Sequence, residues 1–143
     1  MPSNSIFWQI YRGDLPAPNI ATVLNAKTTA VDENAKTLTV AFNIDNRFCN
    51  ATGHIQGGII AAMLDAVMGP CNGMVLADNQ FAPTLNINVE FIHPAKPGQF
   101  IGKAKVVHQG RSICFLQGEL FDRQNQLIAI ATATTKVLTL TRK

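Results

Sequence analysis

The stretch GHIQGGIIAAMLDAVMGPC, residues 53–71, sets nine uncharged residues, Gln56 to Leu64, ahead of one acid, Asp65, and then returns to apolar side chains. Residues 58–69 are apolar on every side except at Asp65. A helix of that composition buries more than one stripe, as it does when a sheet curls around it. The lengths agree, since a helix of roughly 18 residues spans about 27 Å and a strand of about eight to ten residues spans a similar distance. Pro70 removes a backbone donor, which predicts a kink or an early end near Gly69. Within this helix an ionised Asp65 is costly unless paired or wetted. The residues one turn to either side, Ala61 and Gly69, supply no cation. We read Asp65 as a buried acid retained for chemistry, the alternative being a carboxylate hydrogen-bonded into the fold.

The flanking sequence reads as strand. Residues 26–33 and 36–44 surround DENA, a hairpin turn, and TLNINVEF (84–91) alternates, with Leu85, Ile87, Val89 and Phe91 on one face. QFIGKAKVVH, SICFLQGELF and QLIAIATATTKVL follow, joined by QGR and DRQNQ, as in an antiparallel meander. Before all of these, SNSIFWQIYRGD and NIATVLN suggest one or two short helices, broken by Pro16 and Pro18. The order is two strands, a long helix and four strands. This is an α+β domain covering residues 1–143, with an N-terminal helical segment (1–25) and a core of about six strands wrapped on a central helix (26–138).

Composition narrows the classes of function. At 47% hydrophobic and 15% charged residues the chain has the make-up of one globular domain. Asp65, Pro70 and Asn72 interrupt the apolar stretch 59–76, so membrane insertion is not expected. No signal-peptide pattern opens the chain, and Cys49, Cys71 and Cys114 lack CxxC spacing. Both features favour a cytoplasmic protein with reduced thiols and no metal. Residues 1–95 hold four Lys or Arg against seven acids, whereas residues 96–143 hold eight against two. That basic third is either a solvated face or a dock for a polyanionic ligand. Nucleic acid is not the expected ligand, because no aromatics are interleaved with arginines. GxSxG, HExxH, a P-loop and a full GxGxxG are all absent.

The run Asn50, Gly53, Gly57, Gly58, Leu64, Asp65 and Gly69 resembles the motif of hotdog-fold acyl-CoA thioesterases of the phenylacetic-acid-degradation (PaaI-like) type. TLNINVEFIHPAKPGQ and VVHQGRSICFLQGELFDRQNQLIAIATATTKV extend the resemblance over roughly residues 35–138. One position departs: the family usually has His before the glycine pair, where this chain has Gln56, with His54 two residues earlier. The resemblance implies a homodimer with sheets joined edge to edge, often doubled to a tetramer, and hydrolysis of acyl-CoA. Coenzyme A is then part of the substrate and no cofactor is required.

Thioester hydrolysis needs a donor for the carbonyl oxygen and a base or nucleophile near the carbonyl carbon. A Gly57 amide at the helix N-terminus is such a donor, unless Gly57 and Gly58 serve close packing. Asp65 is the base or the nucleophile. Eight helical residues separate the two by about 12 Å, too far for one carbonyl, so one site takes them from two antiparallel copies. Among supporting residues, Asn50 bonds carbonyl or water, or forms a turn; Gln56 bonds without carrying charge; Gly58 and His54 are candidate substrate contacts, His54 being otherwise a loop histidine satisfied by backbone. Thr84 either opens a strand or orients water near the acid. Arg111 is the candidate phosphate contact for coenzyme A, or a solvated turn residue. Phe48, Met63, Val67 and Met74 are expected to line the acyl pocket. The rival readings share the fold: a non-catalytic acyl-CoA-binding module and an acyl-thioester dehydratase.

Overall fold

The computed structural model describes residues 3–141. Two short helices, α1 (Ile6–Tyr11) and α2 (Asn19–Val23), precede the hairpin of β1 (Lys27–Asp32) and β2 (Thr37–Ile44). The turn between these strands closes through the Ala35 N–H, which donates to the Asp32 carboxylate, and it places Lys36 at φ 56°. A 3-10 turn, Asn46–Phe48, leads into the long helix α3 (Gly57–Met74). After it come β3 (Gln80–Phe81), β4 (Thr84–Phe91), β5 (Gly98–Gln109), β6 (Ile113–Asp122), β7 (Leu127–Lys136) and β8 (Leu138–Thr139).

Six strands form one antiparallel sheet in the order β1-β2-β5-β6-β7-β4, the hotdog arrangement. The expected order of strand, strand, helix and four strands is the order of this sheet. The pair β3 and β8 is an addition: at two residues each, they are too short for a period to register. The helix α3 packs against β2, β4, β5, β6 and β7, a span that requires the sheet to curl. Ile60, Met63, Leu64, Val67, Met68, Cys71 and Met74 face that sheet and are buried. Each such side chain contributes about 1.5–3 kcal/mol.

Glycines in the central strands let the helix come close. A Cβ at Gly118 would stand 3.1 Å from Met68 Cγ, and one at Gly102 would stand 3.2 Å from Val67 Cγ1. The side chains missing from β5 and β6 are the space that the helix occupies.

One expectation is corrected here: α3 does not end near Gly69 but runs through Pro70 to Met74. An interior proline costs about 3 kcal/mol, and burial of Val67, Met68, Cys71 and Met74 on both sides of it offsets that cost. The far end is also held from outside: Trp8 Nε1 donates to the Met74 carbonyl at 3.1 Å and Ser5 Oγ to the Gly73 carbonyl at 2.9 Å. The helix buries a broad face against the sheet and leaves Gly58, Asp65 and Gly69 exposed. β4 is an edge strand: Ile87 and Val89 on its apolar face pack half-buried against the core, as the alternation predicts, while Leu85 and Phe91 at its two ends are 58% and 55% exposed.

Candidate active site

The helix α3 begins at Gly57, with Gln56 at φ −57° and ψ 135° as its N-terminal flank and no side-chain cap. The amides of Ile59 and Ile60 both turn back to the Gln56 carbonyl, at 2.9 and 3.3 Å. Those of Gly57 and Gly58 have no acceptor within the helix, as first-turn amides never do. They present two N–H groups at the positive end of the helix dipole. A Cβ at Gly57 would lie 3.3 Å from the Phe91 ring, whereas one at Gly58 would meet nothing within 4 Å. Close packing therefore accounts for Gly57 but not for Gly58. Phe91, from the end of β4, roofs this terminus; nothing in the spacing of the motif pointed to it.

The loop before the helix is rigid, and Asn50 makes it so. Its Oδ1 accepts from Thr52 N–H at 3.0 Å, from Thr52 Oγ at 2.7 Å and from His54 N–H at 3.3 Å. Its own N–H donates to the His54 carbonyl at 2.7 Å, and Gly53 adopts φ 79° to close the turn. His54 Nδ1 bonds Thr52 Oγ at 3.0 Å. The Asn50 oxygen is thus engaged in shaping the turn, as is the His54 ring. The Ile55 N–H donates to the Ala95 carbonyl and the Gln56 N–H to the Phe48 carbonyl, which sets the direction of Gly57. Gln56 is exposed. Nearby, Arg47 Nε is 3.0 Å from the Asp45 carboxylate, and that hydrogen bond holds Asp45 below the usual carboxylate range.

Asp65 is the sole acid on α3. In the single protomer it is exposed, on the side of α3 away from the central strands. The reason is its place in the helical period, about 100° around the helix from Leu64 and about 60° from Met68, on the stripe with Ala62, Ala66 and Gly69. Thr84 Oγ1 donates to Asp65 Oδ1 at 3.1 Å. The first residue of β4 therefore does reach the acid. Thr84 pairs with Thr135 on β7, and the Thr135 hydroxyl donates to the buried Asn72 side-chain oxygen, tying β7 to α3 two turns beyond Asp65. Asn72 stood out in the sequence only as an interruption of the apolar stretch 59–76, and Thr135 not at all.

Asp65 stands in the wall of a cavity of about 610 Å³. Ala66, Gly69, Pro70 and Gly73 continue that wall along α3, and Ile6, Ile10, Tyr11 and Ile20 from the N-terminal segment face it. The expected lining is corrected as well. Met63, Val67 and Met74 are core residues at 0, 0 and 3% exposure, because they point to the sheet. Phe48 packs half-buried against the same core, outside the cavity. A larger depression of about 1040 Å³ lies on the outer face of the sheet among Lys103, Lys105, Glu90 and Glu119, away from Asp65.

Arg111 is exposed in the β5–β6 turn, where the Gly110 N–H meets the Ile113 carbonyl. That turn adjoins the far end of α3, since Gln109 Nε2 donates to the Val75 carbonyl at 2.9 Å. Ten helical residues put Val75 about 15 Å along the axis from Asp65. Within one chain, then, Asp65 and Thr84 come together, Asn50, His54, Gln56 and the two glycines form a second group about 12 Å away, and Arg111 joins neither. Among the described residues no helix is long and apolar enough to cross a membrane.

Comparison with known proteins adds a family to this geometry. The profile of the Thioesterase superfamily matches residues 52–129, from the Asn50 turn through α3 to β7. The crystal structure of a phenylacetic acid degradation-related protein from Ralstonia eutropha JMP134 is similar at 36% identity and a TM-score of 0.88, covering 91% of this chain and 98% of that one. A thioesterase from Haemophilus influenzae is similar at 20% identity and a TM-score of 0.85, over 99% and 98% of the two chains. The PaaI protein from the phenylacetic acid degradation operon of E. coli is similar at 21% identity and a TM-score of 0.79, over 94% and 96%.

Proposed function

The chain belongs to the thioesterase superfamily, and on that premise we propose that it hydrolyses acyl-CoA thioesters to the free acid and coenzyme A. The observation that carries the reading is Asp65: an acid in an otherwise uncharged helix, held by Thr84 through one oxygen, at the edge of an apolar cavity. The Thr84 bond leaves Oδ2 free to take a proton from water or to attack the carbonyl carbon. With Asp65 as base, water adds its oxygen to that carbon, the C–S bond breaks, and coenzyme A leaves as the thiolate and takes up the proton; with Asp65 as nucleophile, its oxygen displaces the thiolate to form a mixed anhydride, which water opens at the Asp65 carboxyl carbon.

The carbonyl oxygen gains negative charge on the way, and the Gly57 amide is the donor suited to it. The separation of about 12 Å along α3 supports an amide supplied by a second copy of the chain. The exposed edge of β4 supports such a pair: eight residues of strand with one backbone edge unpaired within the chain, and apolar Leu85 and Phe91 in solvent. Two β4 edges joined about a two-fold axis continue the sheet and make two equal sites. Antiparallel helices would also bring Arg111 of one copy towards Gly57 of the other, where a phosphate of coenzyme A can meet its guanidinium. Gln56 supplies a hydrogen bond beside the donor amide, and Asn50 and His54 hold the loop that aims it. No cofactor is required by this chemistry, and a dimer of dimers and a cytoplasmic setting complete the proposal.

The test is Asp65→Asn, assayed by release of free thiol from a panel of acyl-CoAs. A loss of about 10²-fold or more with an unchanged unfolding midpoint is the expected result, and near wild-type turnover would refute the assignment. A single turnover in ¹⁸O-labelled water then separates the two roles, because only a nucleophilic Asp65 acquires the label.

A further inference from the structure

We propose that the cavity beside Asp65 receives a medium-chain apolar acyl group laid along α3, and that Gly69 sets the length it accepts. This rests on the reading of Asp65 as the acid that drives hydrolysis.

The floor of the cavity is the outward stripe of α3, where Asp65, Ala66, Gly69, Pro70 and Gly73 follow one another. No side chain on that stripe beyond the acid is large, so a ligand can lie along the helix rather than across it. Two of its glycines differ in what surrounds them. A Cβ at Gly73 would stand 3.1 Å from Phe7 Cβ, so this glycine seats α1 on α3. A Cβ at Gly69 would meet nothing within 4 Å, and Gly69 is exposed in the cavity wall. Its φ is not positive, and a glycine inside a helix is disfavoured relative to alanine. Within one chain neither packing nor backbone conformation calls for glycine at 69; what it supplies there is empty volume one turn beyond the acid.

The facing wall is apolar and exposed without a ligand. Ile6 is 43%, Tyr11 50% and Ile20 52% exposed, and all three border the cavity. These residues precede the segment 52–129 that the superfamily profile matches. The wall comes from the N-terminal part of the chain, outside the matched segment, while the acid lies within it. The polar groups that Lys27 and Thr28 bring come from β1 and not from the helix floor.

The length follows from the helix. Asp65 and Gly73 are about 12 Å apart along the axis. A zigzag chain with C–C bonds of about 1.5 Å advances roughly 1.25 Å per carbon, so that run takes roughly eight to ten carbons. A volume of about 610 Å³ suits such a group, since small-molecule sites span about 300–1,000 Å³. Each methylene buried there is worth about fourfold in binding.

The experiment measures kcat/KM for acetyl-, hexanoyl-, octanoyl-, decanoyl- and phenylacetyl-CoA with the wild type, Gly69→Ala, Gly69→Leu and Ile10→Trp. The wild type should favour octanoyl over acetyl by about 10²-fold or more. Gly69→Leu should lower that ratio by about 10²-fold, with Gly69→Ala between the two. Ile10→Trp fills the cavity from the opposite wall and should lower the ratio in the same direction, which keeps the test open if one variant fails to fold. An unchanged ratio in both filling variants overturns the pocket while leaving thioester hydrolysis in place. Phenylacetyl-CoA outrunning octanoyl-CoA in the wild type overturns the medium-chain assignment. A wild type inactive on every acyl-CoA overturns this inference and the thioesterase reading together.

Discussion

The two faces of α3 carry opposite kinds of residue. Towards the sheet stand Ile60, Met63, Leu64, Val67 and Met68, all buried. Away from it stand Gly58, Ala62, Asp65, Ala66 and Gly69, small apart from the one acid and partly or fully exposed. The first face does what a core stripe does, removing apolar area from water and fixing the helix in the curl of the sheet. The second contributes little to that core. It presents a carboxylate, its threonine partner and a cavity, and its lack of bulk is what leaves the room. Leu64 and Asp65 are neighbours in sequence, yet about 100° of helical rotation makes one a structural residue and the other a candidate catalyst.

That contrast can be broken most sharply by complementation. Gly57→Pro and Asp65→Asn homodimers should each be nearly inactive, since both sites of each lack one component. The proline fits at 57 because Gln56 has the ψ of 135° that a residue before proline needs. Phe91, at 55% exposure, can swing aside for it. Refolded together in equal amounts, the two should recover roughly a quarter of wild-type activity, as one site in four is whole. A mixture that stays inactive, with exchange confirmed by native mass spectrometry, would place both groups in one chain and refute the shared site.

Next in size is the structural face. Leu64→Ala should cost about 2–5 kcal/mol in urea unfolding, whereas Asp65→Asn next to it should leave the midpoint within about 0.5 kcal/mol. Equal losses from the two would erase the distinction between the faces. Thr84→Val sharpens it from the sheet side: removing the bond to Asp65 should lower kcat by about 10-fold with little change in KM. An unaltered kcat would make that hydrogen bond incidental.

The smallest effect belongs to Cys71, on the buried face, where burial pushes the thiol up to about 12 from an ordinary 9.0. Because the folded value is the raised one, its contribution to stability is present below about pH 9 and is lost as pH rises towards 12. Cys71 should therefore resist iodoacetamide at pH 8 in the folded protein and react once urea unfolds it, while the half-buried Cys49 reacts first. Alkylation of Cys71 in the folded state at the rate of Cys49 would show that this face is open to solvent.

Much of this was legible in the amino acids. Periodicity marked the six long strands and the helix from about 57, because runs of six residues or more repeat their hydrophobic pattern often enough to be read. The uncharged run with its single acid drew attention to Asp65, and the glycine pair to the start of the helix. Other features depend on which elements come to lie side by side, and local sequence does not encode that. The eight-residue hydrophobic alternation of β4 is the same whether the strand is central or at an edge, so the exposure of its two ends was invisible until the sheet order placed it last. The apolar composition of α3 said that much of it is buried, but not which stripe loses its cover, and so it misassigned the lining of the cavity. Pro70 obeys a local rule that tertiary packing overrides, because burial on both sides of it outweighs one missing hydrogen bond. The meetings of Thr84 with Asp65, 19 residues apart in the chain, and of Trp8 with Met74, 66 apart, arise only when the chain has closed on itself. Burial and long-range partners are properties of the assembled layers, whereas helix and strand are properties of a period that a short segment carries alone.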